Sequence, residues 1–504
     1  MTRLHTNRLR RSALVAAATI TMGVGGALPA AAAPHPAQPA APQLKLIAAA
    51  DSVTVDRWRG EPGVYLDLGA YVTVDKAPLE FRVTRKSYKD PVVAQQIMRQ
   101  GSTTRTRTLP AGLLKDFKGL PGFLQVTLTD ATGAKVLSTT QSFCPNTSSG
   151  RIRPDAPATS PYPERCSDNP FTLGSVWGTQ KGWAASLAPD YNSGPVNLAA
   201  GQYTAKVSVA KKYRDLFGMA DQPQTIKVTV RETDDGGGHG VAAGRSGSRS
   251  SALKPNAHRP TGRRGNAAVM PKPDLRALPA YGIALTDGSD GNHGLAGTGK
   301  EYLAFSATVW NGGPAPLVVD GFRKPGQEKM DAYQYFFDAK GKQVGYTPTG
   351  TMEWDPREGH EHWHFTDFAS YRLLGADQKE IVRSGKEAFC LADTDAIDYT
   401  VKNANWHPEN TDLATACGER SSVSVREALD VGNGDTYSQY RPGQSFDVTG
   451  LPNGTYYIQV LANPEHKLLE TSQSNNVSLR KVILGGTPGA RTVTVPAYGL
   501  IDSH

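Results

Sequence analysis

Three of the chain's eleven histidines stand at alternate positions in the run Gly359-His360-Glu361-His362-Trp363-His364-Phe365. In an extended strand, residues i, i+2 and i+4 project from one face, so this run can offer three imidazoles to one point. Neutral imidazole is the commonest metal ligand and suits copper, zinc, iron and nickel. Same-face neighbours on a straight strand sit roughly 6.6 Å apart, so three rings reach one ion only if the strand bends or the outer rings lean inward. The competing explanation is three solvated histidines on a polar face. Trp363 and Phe365 argue for partial burial instead. Buried imidazoles packed this closely repel one another when charged, and a cation resolves that.

The elements that must hold such a run are strands. The composition (38% hydrophobic, 52 Gly, 35 Pro) suits loop-rich globular domains better than long helices or a membrane bundle. Across 504 residues it predicts an all-β chain of two β-sandwich-like domains joined by a flexible linker, with few short helices. The net charge of +8 permits acidic partners, but no basic-aromatic motif points to nucleic acid.

Residues 1–33 read as a secretory signal peptide: Arg3, Arg8, Arg10 and Arg11, then an apolar core from Ala13 to Leu28, then small residues from Ala30 to Ala33. Arg10-Arg11-Ser12 weakly resembles a twin-arginine export signal. No second apolar stretch of spanning length follows, so no membrane span is expected after signal removal, and the expected location is secreted, extracellular. Residues 34–44 are a Pro/Ala-rich disordered leader.

Residues 45–232 form an N-terminal β domain of accessory role. Phe123 to Leu128 alternates well and meets Lys135-Val136-Leu137 across a turn at Asp130-Ala131-Thr132-Gly133. Val92 to Arg99 and Lys211 to Met219 have a helical look. Residues 233–272 are a Gly/Ser/Arg-rich linker with too little apolar content for a core. Residues 273–485 form a second strand-rich domain, and 486–504 a C-terminal tail. Leu198 to Val207 and Leu451 to Val460 share the spacing L-x-x-G-x-Y-x-x-x-V, a turn and strand typical of β-sandwich corners. Four cysteines in a secreted chain favour two disulfides, one per domain: Cys144 with Cys166 and Cys390 with Cys417.

The region from about 271 to 485 resembles the catalytic domain of the lysyl oxidases, copper amine oxidases acting on protein lysine. The resemblance rests on Pro273-Asp274-Leu275, on Trp354 followed by the histidine run, and on the segment Lys386 to Asp393 (KEAFCLAD). Gly434-Asp435-Thr436-Tyr437 and the stretch Leu451 to Asn476, with Asn463-Pro464 and Ser474-Asn475-Asn476, complete it. It implies copper held by His360, His362 and His364. It also implies a self-derived lysine tyrosylquinone joining Lys386 to Tyr437. It further implies calcium held by Asp274, Leu275 through its carbonyl, Asn475 and Asn476. Among Asp393, Asp395 and Asp398, Asp393 ranks first as the proton-abstracting base. The sequence departs from the family in having few cysteines and in the segment Ser421 to Gly434, which replaces a usual glycine-rich approach to the tyrosine.

The implied activity is oxidative deamination of lysine in a protein or peptide by dioxygen, giving an aldehyde, ammonia and hydrogen peroxide. The alternative is an extracellular copper-binding protein without mature quinone, serving storage or adhesion. A third reading is a wall-associated binding module carried by the N-terminal half. The pair Lys386 and Tyr437 separates the first two, because a copper store needs only the histidines.

Overall fold

Short runs of β-branched and aromatic residues whose burial alternates dominate the chain, and they pair into strands. The structure, a computed structural model, describes residues 40–501 except 60–61, 101, 190–193, 234–254, 262–263, 267, 290–295, 339, 358–359, 386–387, 409 and 412–416. The expected signal peptide (residues 1–33) and Lys386 therefore lie outside the described residues. No described helix is long and apolar enough to cross a membrane.

Six sheets are formed among the described residues, three before residue 234 and three after residue 274. The anticipated hairpin is present as Leu120–Asp130 paired with Lys135–Phe143. Asp130 closes its turn by donating its N–H to the Ala134 carbonyl, while Gly133 takes the left-handed backbone (φ 85°) that favours glycine. Both repeats of the tyrosine motif form the same corner. Tyr203 donates its hydroxyl to the Ala199 carbonyl at 2.9 Å, and Tyr456 donates to the Pro452 carbonyl at 2.7 Å.

Several boundaries fall elsewhere than composition suggests. The first strand, Gln43–Ala48, begins inside the Pro/Ala-rich leader. Val92 to Arg99 is not helical: Val93–Gln100 is a strand paired on both sides, to Leu79–Thr84 and to Thr103–Thr108. Ala94, Gln96 and Met98 are good helix formers, but two ladders of pairing override that propensity. Lys211–Phe217 is helical, capped by Gly218 in left-handed backbone. Within the linker, Asn256 donates backbone and side-chain N–H groups to Asp320. The tail includes the strand Ala490–Thr494, paired to Val477–Thr487.

In the second half, one sheet carries His362–Phe365 at its edge beside Gln343–Asp355. A second pairs Tyr302–Asn311 with Asn433–Gln439, the strand bearing Tyr437. A third contains Ala369–Leu374, Gly454–Ala462 and Val477–Thr487. Their inner faces share one core that includes Phe305, Trp363, Phe365, Tyr371 and Ile458. Burial of each such side chain contributes about 1.5–3 kcal/mol, which fixes the histidine and tyrosine strands relative to one another.

The two halves also meet. Phe171 of the N-terminal half is buried with Leu278, Trp310, Ile397 and the tail residue Ile501. Leu500 donates its N–H to the Tyr88 carbonyl at 2.6 Å.

Candidate metal centre

The histidine run is bent where the sequence requires it. Only His362 and His364 lie in the strand, while His360 precedes it in a turn closed by its own N–H to the Arg357 carbonyl at 2.8 Å. On a straight strand the outer rings would stand about 13 Å apart; their centroids are 5.7 Å apart. One ring nitrogen from each histidine lies within 4.8 Å of the others, a donor set that fits one soft or borderline cation. Among the described residues this is the one such convergence of three His, Cys, Asp or Glu side chains.

The residues between the histidines lock the run in place. Trp363 packs edge-on against Trp354 across the ladder and donates its indole N–H to the Glu419 carbonyl at 2.9 Å. Its backbone N–H reaches the Cys417 carbonyl, next to the disulfide Cys390–Cys417. Phe365 exchanges two backbone hydrogen bonds with Phe389. The second disulfide joins Cys144 and Cys166, so both pairings are those expected from two cysteines per domain, and no free cysteine remains.

Asp355 is a site residue that motif reading passes over. Its carboxylate stands 3.4 Å from His364 Nδ1 and 3.7 Å from His360 Nδ1, and accepts hydrogen bonds from Arg357. Burial alone would raise its pKa, but the hydrogen bonds and charge of Arg357 outweigh burial and hold it below the usual carboxylate range. A carboxylate behind ligating imidazoles fixes ring orientation and raises ligand basicity. Its place follows from ladder register, which pairs Asp355 with His362 and is not displayed by either segment alone.

Tyr437 comes to the histidines from the other sheet. Its hydroxyl lies 2.6 Å from His360 Nε2, and Gln444 donates to the same oxygen at 3.4 Å. Burial raises the phenol pKa, opposed by Gln444 and Arg357. Gly434 permits the close fit of this strand, since a Cβ there would lie 2.7 Å from Thr308 and 2.8 Å from Ile397. The three histidines, Tyr437, Asp435, Phe389 and Thr394 line a cavity of about 250 Å³. Asp435 shares a strand face with Tyr437, two residues away.

Lys386 falls outside the described residues, but its described flanks reach this region. Gly385 donates to the Gly443 carbonyl at 2.7 Å, and the Phe389 ring packs edge-on against Tyr437 at 5.9 Å. Asp393 is placed apart from the histidine cavity. It is buried and lines a smaller cavity of about 40 Å³ between the halves, with Asp395 and Ser167. Burial and the nearby charge of Asp430 push its pKa well above the aspartate range. Thr394 borders both cavities.

The other residue group also converges. Asn475 donates its side-chain amide to Asp274 at 3.0 Å, and Leu275 donates its N–H to Glu470. Asp274, Asn475 and Asn476 each bury one Oδ1 that has no hydrogen-bond partner. Buried oxygens left so are costly unless something positive faces them, and hard oxygen donors suit calcium.

The all-β fold thus brings three imidazoles and a tyrosine to one cavity, a donor set able to hold a metal ion. A lysyl oxidase family model matches residues 337–490, so this part of the chain is similar to the lysyl oxidases. Pig protein-lysine 6-oxidase is 32% identical over 126 residues, 25% of this chain and 44% of the relative. Human lysyl oxidase homolog 4 is 29% identical over 130 residues, 26% of this chain and 15% of the relative. Zebrafish (Danio rerio) lysyl oxidase homolog 2A is 31% identical over 129 residues, 25% of this chain and 16% of the relative. The chain thus spans less than half the length of these relatives.

Proposed function

We propose that the protein is a secreted copper-dependent amine oxidase acting on lysine side chains of proteins or peptides. The observation that carries this reading is the Tyr437 hydroxyl held 2.6 Å from His360 Nε2, inside a cavity walled by all three histidines. A metal store has no need of a buried phenol there. His360, His362 and His364 would hold copper, and Lys386 and Tyr437 would supply the lysine tyrosylquinone. Together with dioxygen and water, these groups supply the conversion of a primary amine to an aldehyde, ammonia and hydrogen peroxide; the protein's part is to bind and tune.

The chain's own residues do the positioning. Asp355 orients two of the three imidazoles. Gln444 and His360 fix the Tyr437 oxygen from two sides. Phe389 covers one edge of the Tyr437 ring and keeps that side dry. The base that takes a proton from the carbon next to the substrate amine must reach that carbon within the cavity. Asp435, on the cavity wall, meets that requirement better than Asp393, whose cavity lies beyond Thr394. Calcium is proposed at Asp274, Leu275, Asn475 and Asn476, tying the start of the domain to its end, with Glu470 as an additional acidic neighbour.

The test is peroxide release. Copper-loaded, oxygen-exposed protein should release hydrogen peroxide with a lysine-containing peptide, and Tyr437→Phe should not, while retaining full copper. Equal peroxide release from Tyr437→Phe would refute the assignment.

A further inference from the structure

We propose that the N-terminal half is a positioning clamp for the tyrosine strand of the catalytic half, and that it acts through Asn169. The observation is a buried polar chain that crosses between the halves. Asn169, 2% exposed, donates its side-chain amide to Thr308 Oγ1 at 2.9 Å and lies 3.5 Å from Thr436 Oγ1. The Thr308 and Thr436 hydroxyls are 2.7 Å apart across the ladder that joins Tyr302–Asn311 to Asn433–Gln439. The Thr436 N–H in turn donates to Thr394 Oγ1 at 2.7 Å. Thr436 immediately precedes Tyr437. One face of the strand is thus held by a residue from the other half, while the opposite face carries the phenol.

The same loop grips the strand's neighbour. Ser167 and Thr172 both donate hydroxyls to the Ala396 carbonyl at 2.9 Å, and Leu173 donates its N–H to the Ile397 carbonyl at 2.7 Å. Asp395–Ala396 is itself paired to Gly434 and Asn433. The loop is anchored at its start by the disulfide at Cys166, and shaped by Asn169 Oδ1 accepting the Phe171 N–H at 2.9 Å. Every link is buried or half-buried, so each polar group depends on its partner.

The chemistry explains why such a clamp matters. A reacting group displaced by about 1 Å loses about 100-fold in rate, and a strand whose second ladder reaches only Asn433 and Gly434 has room for that displacement beyond them. Asn169 touches neither the histidines nor the cavity, so it is a positioning residue. Its effect on the crosslink between Lys386 and Tyr437 rests on the amine-oxidase reading above; its effect on the strand does not.

The experiment uses the full chain and the isosteric variant Asn169→Asp. This keeps Oδ1 and the turn at Phe171 but deletes the amide donor and places a carboxylate beside Asp395. Amide hydrogen exchange of copper-free protein should be about tenfold faster in the peptide covering 433–439 than in wild type. After addition of copper and oxygen, the Lys386–Tyr437 crosslink should form about tenfold more slowly, with copper content unchanged. Tyr498→Ala, which removes a ring from the same junction without touching Asn169, should leave both rates as in wild type. Wild-type exchange in Asn169→Asp would overturn the clamp. So would an equal acceleration in Tyr498→Ala, which would reduce Asn169 to general junction stability. If wild type itself never crosslinks, the amine-oxidase reading fails, and the exchange rates still decide the clamp.

Discussion

Replacing Asp355 by Asn should weaken copper binding and lower stability without unfolding the protein. The carboxylate stands 3.4 and 3.7 Å from Nδ1 of His364 and His360, so the substitution removes the negative charge behind two of the three ligands. Loss of such an outer partner typically costs 10–100-fold in metal affinity, or about 1.4–2.7 kcal/mol. The metal-free fold should lose about 1.5–3 kcal/mol as well, because Arg357 stabilises the buried carboxylate in its ionised form. The Arg357 side chain is 50% exposed and can be solvated when released, whereas that of Asp355 is 8% exposed. Asn also keeps an oxygen for the Arg357 backbone N–H, which holds the turn into His360. The assay is competitive titration against a chelator of known affinity, paired with thermal unfolding of the metal-free protein. His362→Ala is the comparison, since it removes a ligand outright and should abolish tight binding. Unchanged affinity in Asp355→Asn would refute the idea that this carboxylate tunes the ligands. Collapse of the metal-free fold would show that it is structural instead.

Three further outcomes are expected. Non-reducing peptide mapping should pair Cys390 with Cys417, and Cys417→Ser should lower stability by about 3.5 kcal/mol by freeing the closed loop in the unfolded chain; pairing of Cys144 with Cys417 would refute the disulfide framework. Asp393→Asn should melt higher than wild type at pH 8, with the gap closing toward pH ~4, the ordinary aspartate range. Its raised pKa means that the fold prefers the protonated form; this contribution is complete at low pH and is lost as pH rises through the raised value. A catalytic role for Asp393 would instead show as lost peroxide release with copper and crosslink intact. Calcium at about 100 times its Kd should stabilise the protein by about 2.7 kcal/mol, and Asn475→Ala should remove most of that response in a thermal scan; no response in wild type would remove calcium from the account.

What the sequence disclosed was local in character. The histidine run, the hairpin turn at Gly133 and the two tyrosine corners each depend on residues within about ten positions, and each is present. The disulfides were legible because four cysteines fall two to a domain. Val92 to Arg99 misled because Ala94, Gln96 and Met98 favour helix in isolation, whereas the strand is dictated by partners on both sides. Asp355 and Asp435 gained their places from ladder register, which no single segment displays. Asn169 was beyond reach altogether: 267 residues separate it from Thr436, and only the packing of the two halves brings them together.

The central claim is that Tyr437 is paired with Lys386 to make a cofactor beside copper. It is tested most directly by digesting the protein before and after exposure to copper and oxygen and sequencing the peptides by mass spectrometry. The account predicts one new crosslinked species joining the Lys386 and Tyr437 peptides, formed only after exposure and absent from Lys386→Ala and Tyr437→Phe, both of which keep their copper. Separate, unmodified Lys386 and Tyr437 peptides from fully copper-loaded, oxygen-exposed wild-type protein would contradict it.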